Sequence, residues 1–249
     1  MNNPTNTTKN SAIVMGVGPE EGLGAQLAIR FAELGLHVFV AGRTLEKVEA
    51  IAQRIRDAGK AATAYAADAT SEADTIALFD AAEQLAPIEV VIYNAGNNTP
   101  GEIRTMDADY FEASWQVGCF GGFLFGREAA RRMTEQPRDG TLIFTGASAS
   151  LRGRANFGAF NSAKGALRNL AQALAKETGP LGLHVAHVVI DGPIAGEKIK
   201  RGLPQYAEKL GKEGMIDLAG IVDAYEFLYK QPRQSWSFEL DVRTSLERW

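Results

Sequence analysis

Residues 12–24 read AIVMGVGPEEGLG, an apolar run followed by glycines at positions 16, 18, 22 and 24. Residues 12–17 read as a β-strand. Residues 23–34, with apolar positions three and four apart, read as the helix after it. A glycine-rich turn between a strand and a helix lets a pyrophosphate approach the backbone, and the helix N-terminus offers N–H donors and a positive dipole. Such a turn also serves close packing of helix on strand. Its place after the first strand of an alternating chain favours the nucleotide reading, and makes Gly16, Gly18, Gly22 and Gly24 candidates for cofactor binding.

Outward from this turn, short apolar runs alternate with longer amphipathic ones. Residues 37–42, 61–68, 88–96, 141–147 and 184–192 read as strands, nearly continuous in apolar residues as strands buried on both faces are. Residues 45–58, 72–85, 108–133 and 157–177 read as helices, with Gly35, Gly59 and Gly179-Pro180 as stops. A polar stretch at 197–214 reads as an irregular insert, 218–229 as a helix and 235–242 as a last strand. The pattern predicts an α/β fold: a Rossmann-like, doubly wound parallel sheet of about seven strands with helices on both faces. No internal repeat or linker divides residues 11–249, which read as a single dinucleotide-binding domain. Residues 1–10, MNNPTNTTKN, read as a flexible tail that lacks the apolar core of a secretory signal. Asn6-Thr7-Thr8 formally matches a glycosylation acceptor, and that missing signal argues against its use.

With 249 residues and 45% hydrophobic composition, the chain can bury a full core without metal or disulfide staples. Its 26 Lys plus Arg against 30 Asp plus Glu, a net charge of −4, argue against a nucleic-acid partner. No apolar stretch has the length to cross a bilayer. Three histidines (His37, His184, His187) and one cysteine argue against a metal site. The lone Cys119 cannot form an internal disulfide and fits a reducing cytoplasm.

Arg43 follows the second strand at the place of a ribose selector. An acid there would bind the 2′-hydroxyl of NAD, whereas an arginine suits the 2′-phosphate of NADP. NADP is therefore the expected cofactor, with NAD as the alternative, although Glu20 and Glu21 in the glycine turn oppose a phosphate. Asp68, closing the third strand, either accepts a hydrogen bond from the adenine amino group or caps the helix starting near Ser71. Asn94, Ala95 and Gly96 close the fourth strand, where a small-residue turn lets the chain pass along a nucleotide at the carboxyl edge of the sheet.

The pattern Gly18-x3-Gly22-x-Gly24, the YNAG at 93–96, the long helix after it and FNSAKGAL at 160–167 resemble the short-chain dehydrogenase/reductase family, in order and spacing across residues 11–242. The resemblance implies a nicotinamide cofactor, a homotetramer or homodimer, and a segment near 195–216 that covers the substrate. It also implies that Lys164 holds the nicotinamide ribose, that Gly192 passes close to the nicotinamide and that the Ile194 backbone holds the carboxamide. The departures are specific. The family's Thr-Gly is replaced by either Val17-Gly18 or Met15-Gly16. The catalytic tyrosine, four residues before Lys164, is Phe160, and the alternative position seven before is Phe157. The serine position is Ala147, with Ser148 one step later, and the helix asparagine falls at Gly118. Asp191 stands where Asp191-Gly192-Pro193-Ile194 would begin with proline.

Phenylalanine has no ionisable proton, so the family's alcohol–ketone mechanism cannot run through Phe160. Lys164 and Ser148 are the candidate substitutes that the motif itself supplies. Arg154, Asn156 and Asn161 lie in the approaching segment. His187 reads as a core residue of the sixth strand, and Tyr93 and Tyr206 lack the required spacing. Phe157, Phe160 and Ile194 predict a small apolar substrate, while Phe120 and Phe123 read as core. The expected function is a short-chain oxidoreductase with a non-standard active site. The alternatives are a cofactor-binding sensor or partner protein without catalysis, and a non-redox lyase or isomerase on the same scaffold.

Overall fold

The computed structural model describes residues 10–96 and 98–247. The expected flexible tail, except Asn10, and the acceptor at Asn6 lie outside the described residues. The strands are β1 (Ser11–Met15), β2 (His37–Gly42), β3 (Ala62–Ala66), β4 (Ile88–Tyr93), β5 (Gly140–Ala147), β6 (Leu183–Asp191) and β7 (Glu239–Arg243). They form one sheet in the order β3-β2-β1-β4-β5-β6-β7, with each neighbouring pair parallel. The direction of winding reverses between β1 and β4, and the crevice at their carboxyl ends is where such folds bind ligands.

Alternate side chains of each strand face opposite sides of the sheet, so two cores form. Ala12, Val14, Val38, Val40, Val90 and Ile92 pack on one face with α1 (Leu23–Glu33), α2 (Leu45–Asp57) and α9 (Leu218–Tyr229). Ile13, Met15, Phe39, Val91, Tyr93, Leu142 and Phe144 pack on the other with α3 (Glu72–Leu85), α5 (Gly121–Met133) and α6 (Gly158–Thr178). Each Val, Ile, Leu, Phe or Met among them contributes roughly 1.5–3 kcal/mol by leaving water. α3 starts where expected because Ser71 accepts a hydrogen bond from the Asp74 amide, a side-chain N-cap.

The first strand ends at Met15 rather than 17 and the third at Ala66 rather than 68, where Gly16 and Ala67 turn off the sheet, and four further segments differ from the sequence reading. The fourth strand stops at Tyr93 rather than residue 96, because Asn94 turns off the sheet to close the glycine turn; its amide still donates to Met15 O at 2.9 Å. The helix expected over 108–133 is broken into α4 (Ala108–Trp115), a π-helical turn Gln116–Phe120, and α5. The buried Tyr93 hydroxyl donates to the Val117 carbonyl at 2.6 Å, which draws that carbonyl out of the regular ladder. The insert is not irregular: it holds α7 (Glu197–Lys200) and α8 (Pro204–Leu210). The last strand begins at Glu239, not 235. Residues 236–238 are used to cover β6: Trp236 stacks on His184 at 4.9 Å between ring centroids, and Phe238 O accepts from the His187 amide at 2.7 Å. Among the described residues no helix is long and apolar enough to cross a membrane.

Candidate functional site

The glycine turn is built by close approach. β1 ends at Met15, and Gly16 has φ +93°; a Cβ there would lie 2.5 Å from the Ala95 amide nitrogen. A Cβ on Gly24 would lie 2.5 Å from Gly16 O, so α1 can pack this tightly only through glycine. Gly18 faces open space, and Gly22 caps α1 without any side-chain hydrogen bond to the helix amides. An open glycine beside an uncapped helix N-terminus fits a pyrophosphate. The opposing charge of Glu20 is drawn outward into an ion pair with Arg54 of α2. The backbone of Glu21 accepts a hydrogen bond from the Glu197 amide of α7 at 3.0 Å, so the insert rests on this turn. Lys198 of α7 also reaches Asn98, beyond β4, at 2.5 Å.

A chain of hydrogen bonds joins this turn to the lysine. Asn94 Nδ2 donates to Gly16 O at 3.1 Å, and Thr145 Oγ1 donates to Asn94 Oδ1 at 3.0 Å. The Thr145 hydroxyl is also 2.7 Å from that of Tyr225 on α9, which is the donor once Thr145 has given its proton to Asn94. Lys164 Nζ donates to Thr145 O at 2.8 Å and lies against Gly96. Lys164 is buried, and desolvation pushes its pKa down to about 8. Gly16, Gly24, Asn94, Ala95, Gly96 and Lys164 are thus brought together. Thr145 and Tyr225 were missed by sequence reasoning. The only signal at Thr145 is a hydroxyl inside the run TLIFTGA, which it shares with Thr141.

Arg43 is exposed at the end of β2, and Asp68 is half-buried after β3. The Thr70 amide and hydroxyl both donate to Asp68, and with help from the Arg43 charge they hold its carboxyl below the usual range. The helix-cap alternative for Asp68 is incorrect, because Ser71 holds that position. Gly192 and Ile194 lie after β6 against Ile216, with Ile194 bridging to it.

Phe160 is half-buried in the first turn of α6, one turn before Lys164. Ser148 opens a 3-10 turn, Ser148–Ser150, after β5, and no described hydrogen bond joins it to Lys164. Gly118, in the π-helical turn, packs so closely that a Cβ would lie 2.6 Å from that of Ala163. Arg154 lies over the Phe157 ring at 5.3 Å, its carbonyl accepting from Asn161; Asn156 has φ +68°. Tyr93 is spent on Val117, and Tyr206 is exposed on α8. Phe120 and Phe123 are not core: Phe123 is exposed, and Phe120 stacks between it and Trp115 on the outer side of α4 and α5. The π-helical turn shifts the helical phase on which the core reading relied.

Asp191, the departure before Gly192, is buried and accepts two contacts from Arg152 Nη2, at 2.9 and 3.2 Å, with Arg243 of β7 at 3.6 Å. Among the described residues, no group of three or more His, Cys, Asp or Glu is placed to hold a metal.

The family model described as short chain dehydrogenase matches residues 11–198. The chain belongs to the short-chain dehydrogenase family. Its sequence is 33% identical over 190 residues to the uncharacterized oxidoreductase YuxG of Bacillus subtilis, covering 75% of this chain and 28% of that protein. It thus spans little more than a quarter of that relative. It is 28% identical to an NADPH-dependent aldehyde reductase-like protein of Arabidopsis thaliana, covering 84% of this chain and 82% of the relative. A crystal structure of a short-chain dehydrogenase from Rhodopseudomonas palustris superposes with a TM-score of 0.80 at 36% identity, covering 95% of this chain and 98% of that one. The doubly wound seven-stranded sheet is therefore that of a short-chain dehydrogenase.

Proposed function

We propose that this chain is an NADP-dependent oxidoreductase, with NAD as the weaker cofactor, acting on a small apolar carbonyl, alcohol or enone compound. In this reading Phe160 stands at the place of the family's catalytic tyrosine. The observation that carries it is the buried Lys164 ammonium, joined through Thr145 and Asn94 to the glycine turn. A buried cation is costly unless something nearby uses it. When bound, the nicotinamide supplies or accepts a hydride. Gly16, Gly18, Gly22 and Gly24 admit the pyrophosphate, and Arg43 pairs with the 2′-phosphate. Asp68 meets the adenine amino group. Asn94, Ala95 and Gly96 line the path of the nucleotide, and Gly192 and Ile194 flank its nicotinamide end. Lys164 holds the ribose, and Ser148 hydrogen-bonds the substrate oxygen. The insert at 195–216 covers the site. The similarity to an NADPH-dependent aldehyde reductase-like protein supports the cofactor assignment. We further place the protein in the cytoplasm as a homodimer or homotetramer. Support for the oligomer comes from Phe111, Trp115 and Phe123, exposed together on α4 and α5.

The test is a titration of the purified protein with NADPH and NADH, followed by nicotinamide fluorescence. NADPH is expected to bind the more tightly. Arg43→Ala weakens NADPH about 10- to 100-fold, the worth of a charge-assisted phosphate contact, and leaves NADH unchanged. Lys164→Met weakens both. Binding of neither nucleotide would overturn the reading. Binding without turnover of any carbonyl, alcohol or enone would leave a cofactor-binding partner protein.

A further inference from the structure

Gly146 of β5 carries no side chain, and the imidazole of His187 from β6 fills the space: a Cβ on Gly146 would lie 2.2 Å from His187 Nε2. His187 is fully buried. Its Nδ1 lies 3.0 Å from Glu239 Oε2 on β7, and Arg168 of α6 holds that carboxylate through two nitrogens at 2.6 and 2.9 Å. Its Nε2 lies 3.4 Å from Ser150 Oγ, at the end of the 3-10 turn. Hydrogen bonding to Arg168 holds the Glu239 carboxyl below its usual range, so it is ionised and can only accept. The imidazole proton therefore sits on Nδ1, and Nε2 turns a lone pair toward the Ser150 hydroxyl. A hydroxyl backed by an imidazole, backed in turn by a carboxylate, is the arrangement in which serine gives up its own proton; the Ser150 oxygen also accepts from the Ala147 amide at 3.2 Å.

The place of this chain matters as much as its order. The 3-10 turn follows the carboxyl end of β5 and packs against α6, the helix that carries Phe160 and Lys164. Ser150 is half-buried at that edge. The charged groups facing the imidazole are Glu239 from β7 and Lys164 and Arg168 from α6. Burial, reinforced by the two cations and opposed by Glu239, pushes the imidazole pKa down to about 4, so it is a neutral acceptor at pH 7.

We propose that Ser150, backed by His187 and Glu239, accepts the proton of a substrate hydroxyl in place of the phenol that Phe160 lacks. This rests on the oxidoreductase reading above. The substrate O–H proton passes to Ser150 Oγ as the Ser150 proton passes to His187 Nε2. The substrate's carbinol hydride leaves to the oxidised nicotinamide, which is the oxidant, and the C–O bond becomes a carbonyl. The imidazolium is transient because His187 is buried among cations: Glu239 stabilises it while the hydride leaves, and the proton then passes back through the half-buried Ser150 Oγ to water. Ser150 is the catalytic residue of this scheme, and His187 and Glu239 are positioning residues acting through it.

The test has two parts. Nitrogen-15 spectra of histidine-labelled protein report the tautomer: His187 is expected with its proton on Nδ1, and Ser150→Ala moves the Nε2 resonance and leaves that of Nδ1 in place. A proton on Nε2 in the wild-type protein would overturn the proposal. In parallel, NADP+ binding and the oxidation of a series of short secondary alcohols are measured for wild type, Ser150→Ala and Glu239→Gln. Ser150→Ala is expected to lower kcat at least 100-fold while KM and NADP+ affinity stay within about threefold. Glu239→Gln is expected to lower kcat in the same direction. A Ser150→Ala protein with wild-type kcat, or a wild type that reduces enones and oxidises no alcohol, would overturn the inference alone; a wild type that binds NADP+ and turns over none of these compounds would overturn the oxidoreductase reading as well. Failure of wild type to bind NADP+ would instead overturn the cofactor reading on which it rests.

Discussion

Lys164 keeps its charge where water does not reach it, with one carbonyl for company. The displacement of its pKa from 10.5 to about 8 corresponds to a cost of roughly 3 kcal/mol for holding the ammonium charged at neutral pH. Losing the bond to Thr145 O returns about 1 kcal/mol of that. Lys164→Met should therefore raise the stability of the cofactor-free protein by about 1–2 kcal/mol in denaturant unfolding at pH 7, while weakening nucleotide binding. The sign with pH follows from linkage. Below pH 8 both folded and unfolded lysine are charged and the cost is fully present; between pH 8 and 10.5 the folded form sheds its proton first, so the advantage of the variant fades. A constant advantage across that range would mean that folding does not lower this pKa. Lys164 was legible in the sequence because the FNSAKGAL motif carries it. Its partners were not, since Thr145 and Tyr225 meet across 80 residues of chain.

At the scale of elements, the π-helical turn between α4 and α5 is the feature that periodicity hid. A pattern spaced at three and four residues continues across it, so 108–133 read as one helix. The cause lies on another strand: the Tyr93 hydroxyl holds the Val117 carbonyl, and Gly121 gives that hydroxyl room. A Cβ on Gly121 would lie 2.2 Å from the Tyr93 oxygen and 2.7 Å from Ala69 O. Gly121→Ala should cost about 2–3 kcal/mol by overpacking. Tyr93→Phe should cost about 1–2 kcal/mol by leaving the carbonyl unpaired. Because the two residues touch, the double variant should cost less than the sum, and urea melts of the four proteins give that coupling directly. Simple additivity would show that the turn has another origin. The strands and the other long helices were legible because their cores are drawn from local, repeating positions. The end of β4, the start of β7 and the helices of the insert were not, because each is set by residues far away in the chain.

At the scale of the whole molecule, two buried imidazoles make the fold sensitive to acid. Desolvation lowers the pKa of His184, and lowers that of His187 from 6.5 to about 4. The unfolded chain takes up these protons at higher pH than the folded one, so stability falls as pH drops from 6.5 toward 4, by roughly 3 kcal/mol for His187 alone. Thermal melts across that range should show the loss, and His187→Gln, if it folds, should show less of it. The doubly wound architecture was legible from alternation alone, and the tight turn after β1 from its glycines. The cluster of His187, Glu239 and Arg168 was not, because it forms where α6, β6 and β7 pack together, which nothing local in the sequence announces.

The contact between α7 and the glycine turn runs from the Glu197 amide to the Glu21 carbonyl, backbone to backbone. That makes one exchangeable proton a gauge of how often the insert lifts away. In deuterated water the Glu197 amide exchanges only when this contact breaks, so its protection factor measures the opening equilibrium of the segment. On the proposed cofactor reading, saturating NADPH steadies the turn beneath and slows that exchange. Glu197→Ala, which keeps the amide, should leave it as it was.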